Sequence, residues 1–226
     1  MSAARVFAII VAAALALRPS TAGAQAVPLH RLELSGGYGL FTGASLGSQN
    51  ANLRTITPNQ PFLLFASSSR TSTAPIFDLR AGVLLTRRYG VEAHAAYGHP
   101  ELRTVLSSDV EGAPGITAVE RLDQYVIDGG VVVGLDEWAI AGFHPFAAAG
   151  GGYLRQLHED RIVIEDGGVF YVGGGARYGL FAQPRGFVRA IGARVDARLN
   201  LLKGGIQIED RVRSHFSVSG SLFVVF

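Results

Sequence analysis

Residues 214–226 read SHFSVSGSLFVVF, and the two alternating faces of this stretch decide the fold. Phe216, Val218, Gly220, Leu222, Val224 and Phe226 share one side of an extended chain, while His215, Ser217, Ser219 and Ser221 share the other. The alternation runs to the final residue and stops on an aromatic. Such a segment is a strand whose sheet meets an apolar medium on one side and a polar one on the other.

Seven more stretches carry the same period. Arg31–Phe41 sets Leu32, Leu34, Tyr38 and Leu40 against Arg31, Glu33 and Ser35. Ile76–Thr86 sets Phe77, Leu79, Ala81, Val83 and Leu85 against Asp78, Arg80 and Gly82. In the third, Val91, Ala93, Ala95 and Tyr97 oppose Glu92 and His94, and His99-Pro100 is expected to bend or bulge the strand. The fourth, near Gln124–Leu135, puts Tyr125, Ile127, Val131 and Val133 opposite Asp128. The fifth begins at Pro145, with a phase that Ala147–Gly152 leaves undefined. Asp166-Gly167-Gly168 reads as a hairpin turn into the sixth, where Phe170, Val172 and Tyr178 oppose Tyr171 and Arg177. In the seventh, Ile191, Ala193, Val195, Ala197 and Leu199 alternate with Arg194, Asp196, Arg198 and Asn200. Gly204-Gly205 is expected to turn directly into the eighth, which Ile206, Ile208 and Val212 extend in the phase of Phe216.

At the other end, Arg5 precedes the apolar run Val6–Leu17, and Arg18, Pro19 and small residues follow. This is the pattern of a cleaved secretory signal peptide, assigned to residues 1–24, with the barrel domain at 25–226. The run is shorter than the roughly 20 residues of a spanning helix. The chain has no Cys, so neither disulfides nor thiol chemistry is available. The net charge of +2 includes Arg5 and Arg18, so a processed chain is near neutral and no nucleic-acid partner is expected. Lys203 is the one lysine among 20 basic residues. An inventory of arginine suits buried, forked pairing with carboxylates better than a solvated surface.

With its terminal Phe226 and its eight alternating segments, the chain resembles the small OmpA/OmpX-like outer-membrane barrels. The resemblance implies an all-β, eight-stranded antiparallel transmembrane up-and-down β-barrel in the outer membrane of a Gram-negative bacterium. It implies Phe226 as a signal for the barrel assembly machinery, outer-membrane lipids and lipopolysaccharide as surroundings, and no cofactor. Short turns then face the periplasm and long outer loops, Thr42–Pro75 and Leu106–Leu122, face outward, open to an extracellular partner. No wall-binding domain is expected after the barrel. The charged phase collects Glu33, Asp78, Glu92, Asp128 and Asp196 with Arg31, Arg80, Arg177, Arg194 and Arg198, a balanced salt-bridge network for the lumen. Eight strands leave an interior that side chains just fill, so a structural or adhesive role is expected rather than a diffusion pore.

Two other function classes are read beside this one. Lipid A deacylases of similar size carry a His-x-Ser pair and a carboxylate, and His215-Phe216-Ser217 supplies the pair alone, with no acid following and a lumen-facing phase. A soluble periplasmic binding barrel would keep the period and exchange the faces. The runs Gly36-Gly37-Tyr38-Gly39, Gly150–Gly152 and Gly173–Gly175 lie in strand patterning without a following helix, so close packing explains them better than phosphate binding. His158, Glu159, Asp160, Glu165 and Asp166 offer hard ligands for Ca²⁺, but a solvated hairpin tip is the plainer reading and no metal site is assigned. Trp138 with Tyr38, Tyr89, Tyr97, Tyr125 and Tyr178 is expected in two aromatic girdles. Phe62–Phe65 suits either the barrel rim or an exposed contact.

Overall fold

A computed structural model describes residues 31–53, 62–86, 88–108, 114–159, 162–183, 186–206 and 211–226. The signal-peptide stretch lies outside them, as do Asp160 and Ile208. Among the described residues the chain forms eleven strands: β1 (Leu32–Phe41), β2 (Ser45–Leu53), β3 (Phe62–Thr71), β4 (Ala74–Leu84), β5 (Tyr89–Gly98), β6 (Glu101–Ser107), β7 (Ile116–Gly134), β8 (Phe143–His158), β9 (Ile164–Ala182), β10 (Ala190–Gly204) and β11 (Arg213–Val225). Strands β1, β4, β5, β7, β8, β9, β10 and β11 pair in that circular order, all antiparallel, and β11 returns to β1 to close the barrel. Glu33 lies opposite Val225, so both ends of the barrel chain emerge at one end, here the lower one.

The expected strands are present in the expected phases, and β8 resolves its own: Phe146, Ala148, Leu154 and Gln156 point inward, Tyr153 and Arg155 outward. Three local expectations are corrected. Asp166-Gly167-Gly168 lies inside β9, where Gly167 pairs with both Leu154 and Gly204, and the chain reverses between His158 and Ile164. A Cβ on Gly167 would sit 2.8 Å from the Lys203 carbonyl oxygen, so close strand packing selects the glycine that looked like a turn residue. Strand β11 starts at Arg213, after Gly204 and Gly205 take φ of +82° and +72°, so the last strand does not run back to Ile206. His99-Pro100 bends no strand; it separates β5 from β6.

The largest correction concerns the first two outer connections. Thr42–Pro75 and Leu106–Leu122 are not open loops. They hold β2, β3 and the start of β7, which with β6 make a four-stranded sheet standing on the upper end of the barrel. Ser, Thr and Asn in these segments mask the strand pattern, because neither face is uniformly apolar. Strand β7 belongs to both bodies: Ile116–Arg121 pairs with β6, and Gln124–Val133 pairs with β5. Beyond this lip the asymmetry of the ends is slight. A tight lower turn joins β4 to β5, where Thr86 Oγ1 accepts from the amides of Arg88 and Tyr89 at 3.2 and 2.9 Å.

No helix among the described residues is long and apolar enough to cross a membrane. The strands are the apolar elements. Leu79, Ile127, Phe170, Val172, Val195 and Leu222 stand 51–63% exposed on the outside of the barrel. Aromatics flank this belt. Tyr89, Trp138 and Tyr178 lie toward the lower end with Phe187, which meets Phe226 at 5.0 Å. Tyr38 meets Phe77 at 5.3 Å toward the upper end, where Tyr97 also stacks on Tyr125 at 4.7 Å. Tyr89 to Tyr97 on β5 matches the roughly 9–11 residues a tilted strand needs to cross a bilayer. This surface is built for lipid.

Inward-facing glycines set the room inside. A Cβ on Gly130 would sit 2.4 Å from the Tyr171 hydroxyl and 2.4 Å from the Ala149 carbonyl oxygen. Gly130→Ala should therefore lower unfolding stability in urea by about 1–3 kcal/mol. Stability unchanged from wild type would show that the ring has room to shift.

Candidate functional site: the lumen and the mouth

The inner phases of β1, β4, β5, β7, β9 and β10 bring the nine charged lumen residues together. Arg194 is the hub, 1% exposed. Its guanidinium donates to Glu92, to Asp196 at 2.8 Å and to Glu33 at 3.3 Å. Arg80 binds Asp78 and Asp196, each at 2.6 Å, and donates to the Ser219 hydroxyl at 2.9 Å. Arg198 meets Glu92 at 3.0 Å and Asp128 at 3.4 Å. Arg177 reaches Glu33 at 3.3 Å. Rings complete the setting: Arg194 lies 4.5 Å from the Phe146 centroid, and Arg198 lies 4.3 Å from that of Tyr171. Guanidinium groups tolerate this because they are weakly hydrated and stack on aromatic faces.

One assigned cation differs. Arg31 sits at the lower mouth, with no carboxylate partner among the described residues. Desolvation and the charge of Arg189 lower its pKa. His94 stands in the network instead, with Nδ1 2.6 Å from Asp128 and Nε2 3.9 Å from Asp78. Its inward phase was legible, but sequence alone could not rank an imidazole against a fifth arginine.

Two apolar clusters adjoin the network. Above it, Phe41, Ile76, Ala96, Val126, Leu154, Val169 and Leu202 form a buried cluster. Beside it, on the wall of β7, β8 and β9, Val132, Phe146, Ala148 and Tyr171 form another, against which Arg177, Arg194 and Arg198 stack. Sequence reasoning missed the upper layer, although a signal exists. Each contributor adjoins an outward apolar residue, as in Leu40-Phe41, Ile76-Phe77, Val126-Ile127, Tyr153-Leu154, Val169-Phe170 and Leu201-Leu202. Such doublets mark a level where both faces of the barrel wall are apolar. Between this layer and the ions lies a cavity of about 20 Å³, bordered by His94, Arg198, Asn200 and Ser217. That is room for one or two water molecules.

His215 and Ser217 face this interior, 4% and 9% exposed. The imidazole Nδ1 lies 2.8 Å from the Thr42 carbonyl oxygen, to which it donates, and the ring packs 5.0 Å from Phe41. Ser217 Oγ instead accepts from Asn200 at 2.9 Å. Each residue of the pair is thus engaged elsewhere, away from the lipid face. The acidic residues near the β8–β9 reversal are dispersed as well: His158 pairs with Glu120 at 2.6 Å, and Asp166 binds Tyr153 on the outer wall. No metal-binding group of three occurs among the described residues.

The outward apolar belt, the inward charges and the closed circle of strands now stand together. The barrel has the fold of small outer-membrane proteins. It resembles the outer membrane protein OprG from Pseudomonas aeruginosa with a TM-score of 0.55 at 10% sequence identity, covering 88% of this chain and 96% of that one. Ail, the attachment invasion locus protein of Yersinia pestis, gives a TM-score of 0.44 at 10% identity over 88% of this chain and 100% of its own. No family model matches the chain, and no curated protein matches it.

Removing the hub leaves three buried carboxylates short of a partner. Arg194→Met should cost about 3–5 kcal/mol of unfolding stability. Arg88→Met, which removes an exposed pair with Glu137 at 3.6 Å, should cost about 0–1 kcal/mol. Urea titration of both variants checks the contrast, and equal losses would count against the hub.

Proposed function

We propose that this protein is an integral outer-membrane barrel of a diderm bacterium whose lumen does not conduct solutes and whose work is done by the lip at its upper end. The observation that carries this reading is the reversal of ordinary burial, with aliphatic residues exposed on the wall and Arg194, Asp78 and Asp196 at 1–2% exposure inside. A soluble binding barrel would need the opposite faces. The precursor would lose residues 1–24 on export, and Phe226 would be read by the assembly machinery. The lip of β2, β3, β6 and upper β7 then projects outside the cell and serves adhesion, contact or membrane integrity. No catalytic role falls to His215 and Ser217, since lipid has no path to them.

Protein from isolated outer membranes should migrate differently on gels when boiled and unboiled. In planar bilayers the folded protein should show no steady ion current above background. Recovery in the soluble periplasmic fraction, without a heat-dependent shift, would overturn the membrane assignment. A steady ohmic current would overturn the closed lumen.

A further inference from the structure

The outer face of the lip carries a basic cluster that internal contacts neutralise only in part. Arg70 and Arg103 lie directly opposite each other on β3 and β6. Arg121 on β7 lies opposite Glu101 on β6, and Arg103 lies opposite Val119, so all three arginines share one face. Arg103 is held by Glu101 at 2.8 Å. Arg70 and Arg121 are exposed and have no ion-pair or hydrogen-bond partner among the described residues. Like charges placed directly across a strand pair repel. Glu101 offsets one of these charges, and a further anion beside Arg70 and Arg121 would offset the remainder.

Position selects the anion. Arg121, Asp123 and Tyr125 alternate along β7, so Arg121 continues the lipid-facing surface upward from the aromatic pair Tyr97 and Tyr125. Four residues of strand put its Cα about 13 Å along β7 from Tyr125. Strand tilt shortens that height, and a long side chain reaches back, which brings the guanidinium groups to the depth of lipid headgroups. Guanidinium forks match phosphate oxygens two at a time. We infer that Arg70, Arg103 and Arg121 form a binding site for the phosphate-bearing headgroup of a lipid in the outer leaflet, which fastens the base of the lip to the membrane surface. The inference rests on the outward orientation of the lip proposed above.

The test uses the whole folded barrel in phosphatidylcholine nanodiscs doped with lipopolysaccharide, or with the same lipid after enzymatic removal of its phosphates. Native mass spectrometry counts the lipid retained on wild type, on the double variant R70Q/R121Q and on R88Q as a lower-end control. Wild type and R88Q should retain the phosphorylated lipid about ten-fold better than R70Q/R121Q, since each surface arginine contributes a several-fold factor. All three should retain the dephosphorylated lipid alike. Equal retention of phosphorylated lipid by wild type and double variant overturns the site. So does displacement of that lipid by inorganic phosphate or by a soluble sulfated polysaccharide at equal charge, which would assign the cluster to soluble anions. Unboiled gel mobility is read on every sample: a wild type without the folded band overturns the barrel reading itself, whereas folded protein with equal retention overturns only the headgroup site.

Discussion

Everything inside this barrel depends on keeping charge in a space that cannot solvate it. An isolated ion in such a place is costly, and the attraction of a partner offsets that cost only when geometry and further hydrogen bonds are good. Arg194 meets the condition by spending its guanidinium on three carboxylates from three strands, β1, β5 and β10. Asp196 lies two residues away on the same strand, but Glu33 and Glu92 come from distant parts of the chain and reach Arg194 only after the sheet has curled and shut. A partly closed sheet would keep the same-strand pairs Arg80–Asp78 and Arg194–Asp196 and leave the other charges short of partners. The network therefore rewards the closed circle more than any single strand pair does.

The glycines belong to the same constraint. Eight strands enclose too little volume for four arginines, five carboxylates, an imidazole and two aromatic rings unless part of the wall contributes no side chain. Gly130 and Gly150 make that room around Tyr171, whose ring in turn receives Arg198. Glycine weakens a strand by its conformational freedom. The interior contacts that it permits offset that loss.

How much of this was legible in the sequence follows from what each surface demands. Barrel strands face lipid on one side and ions on the other, so their period of two is sharp and the pairing of Asp78 with Arg80, or of Arg194 with Asp196, could be expected from phase alone. The lip strands face water or one another. Ser45–Leu53 carries no charge and little apolar contrast, so its pattern reads as a loop although its backbone pairs along β3. The turn expected at Asp166 failed for a related reason, because the demand for a small residue came from Lys203 and Gly204, far away in sequence. The place of His94 and the engagement of His215 by Thr42 depend on three-dimensional proximity that no local pattern encodes.

Strand β7 has one more consequence. Its 19 residues pass without interruption from the lip into the wall, hydrogen-bonded to β6 above and to β5 and β8 below. A pull on the lip is thus not taken up by a hinge. It travels along the strand axis as shear across two ladders at once, the direction in which many hydrogen bonds must fail together rather than one after another. The lip is in this sense a lever cut from the same piece as its mount, and traction applied to it would be borne by the barrel wall and the bilayer around it.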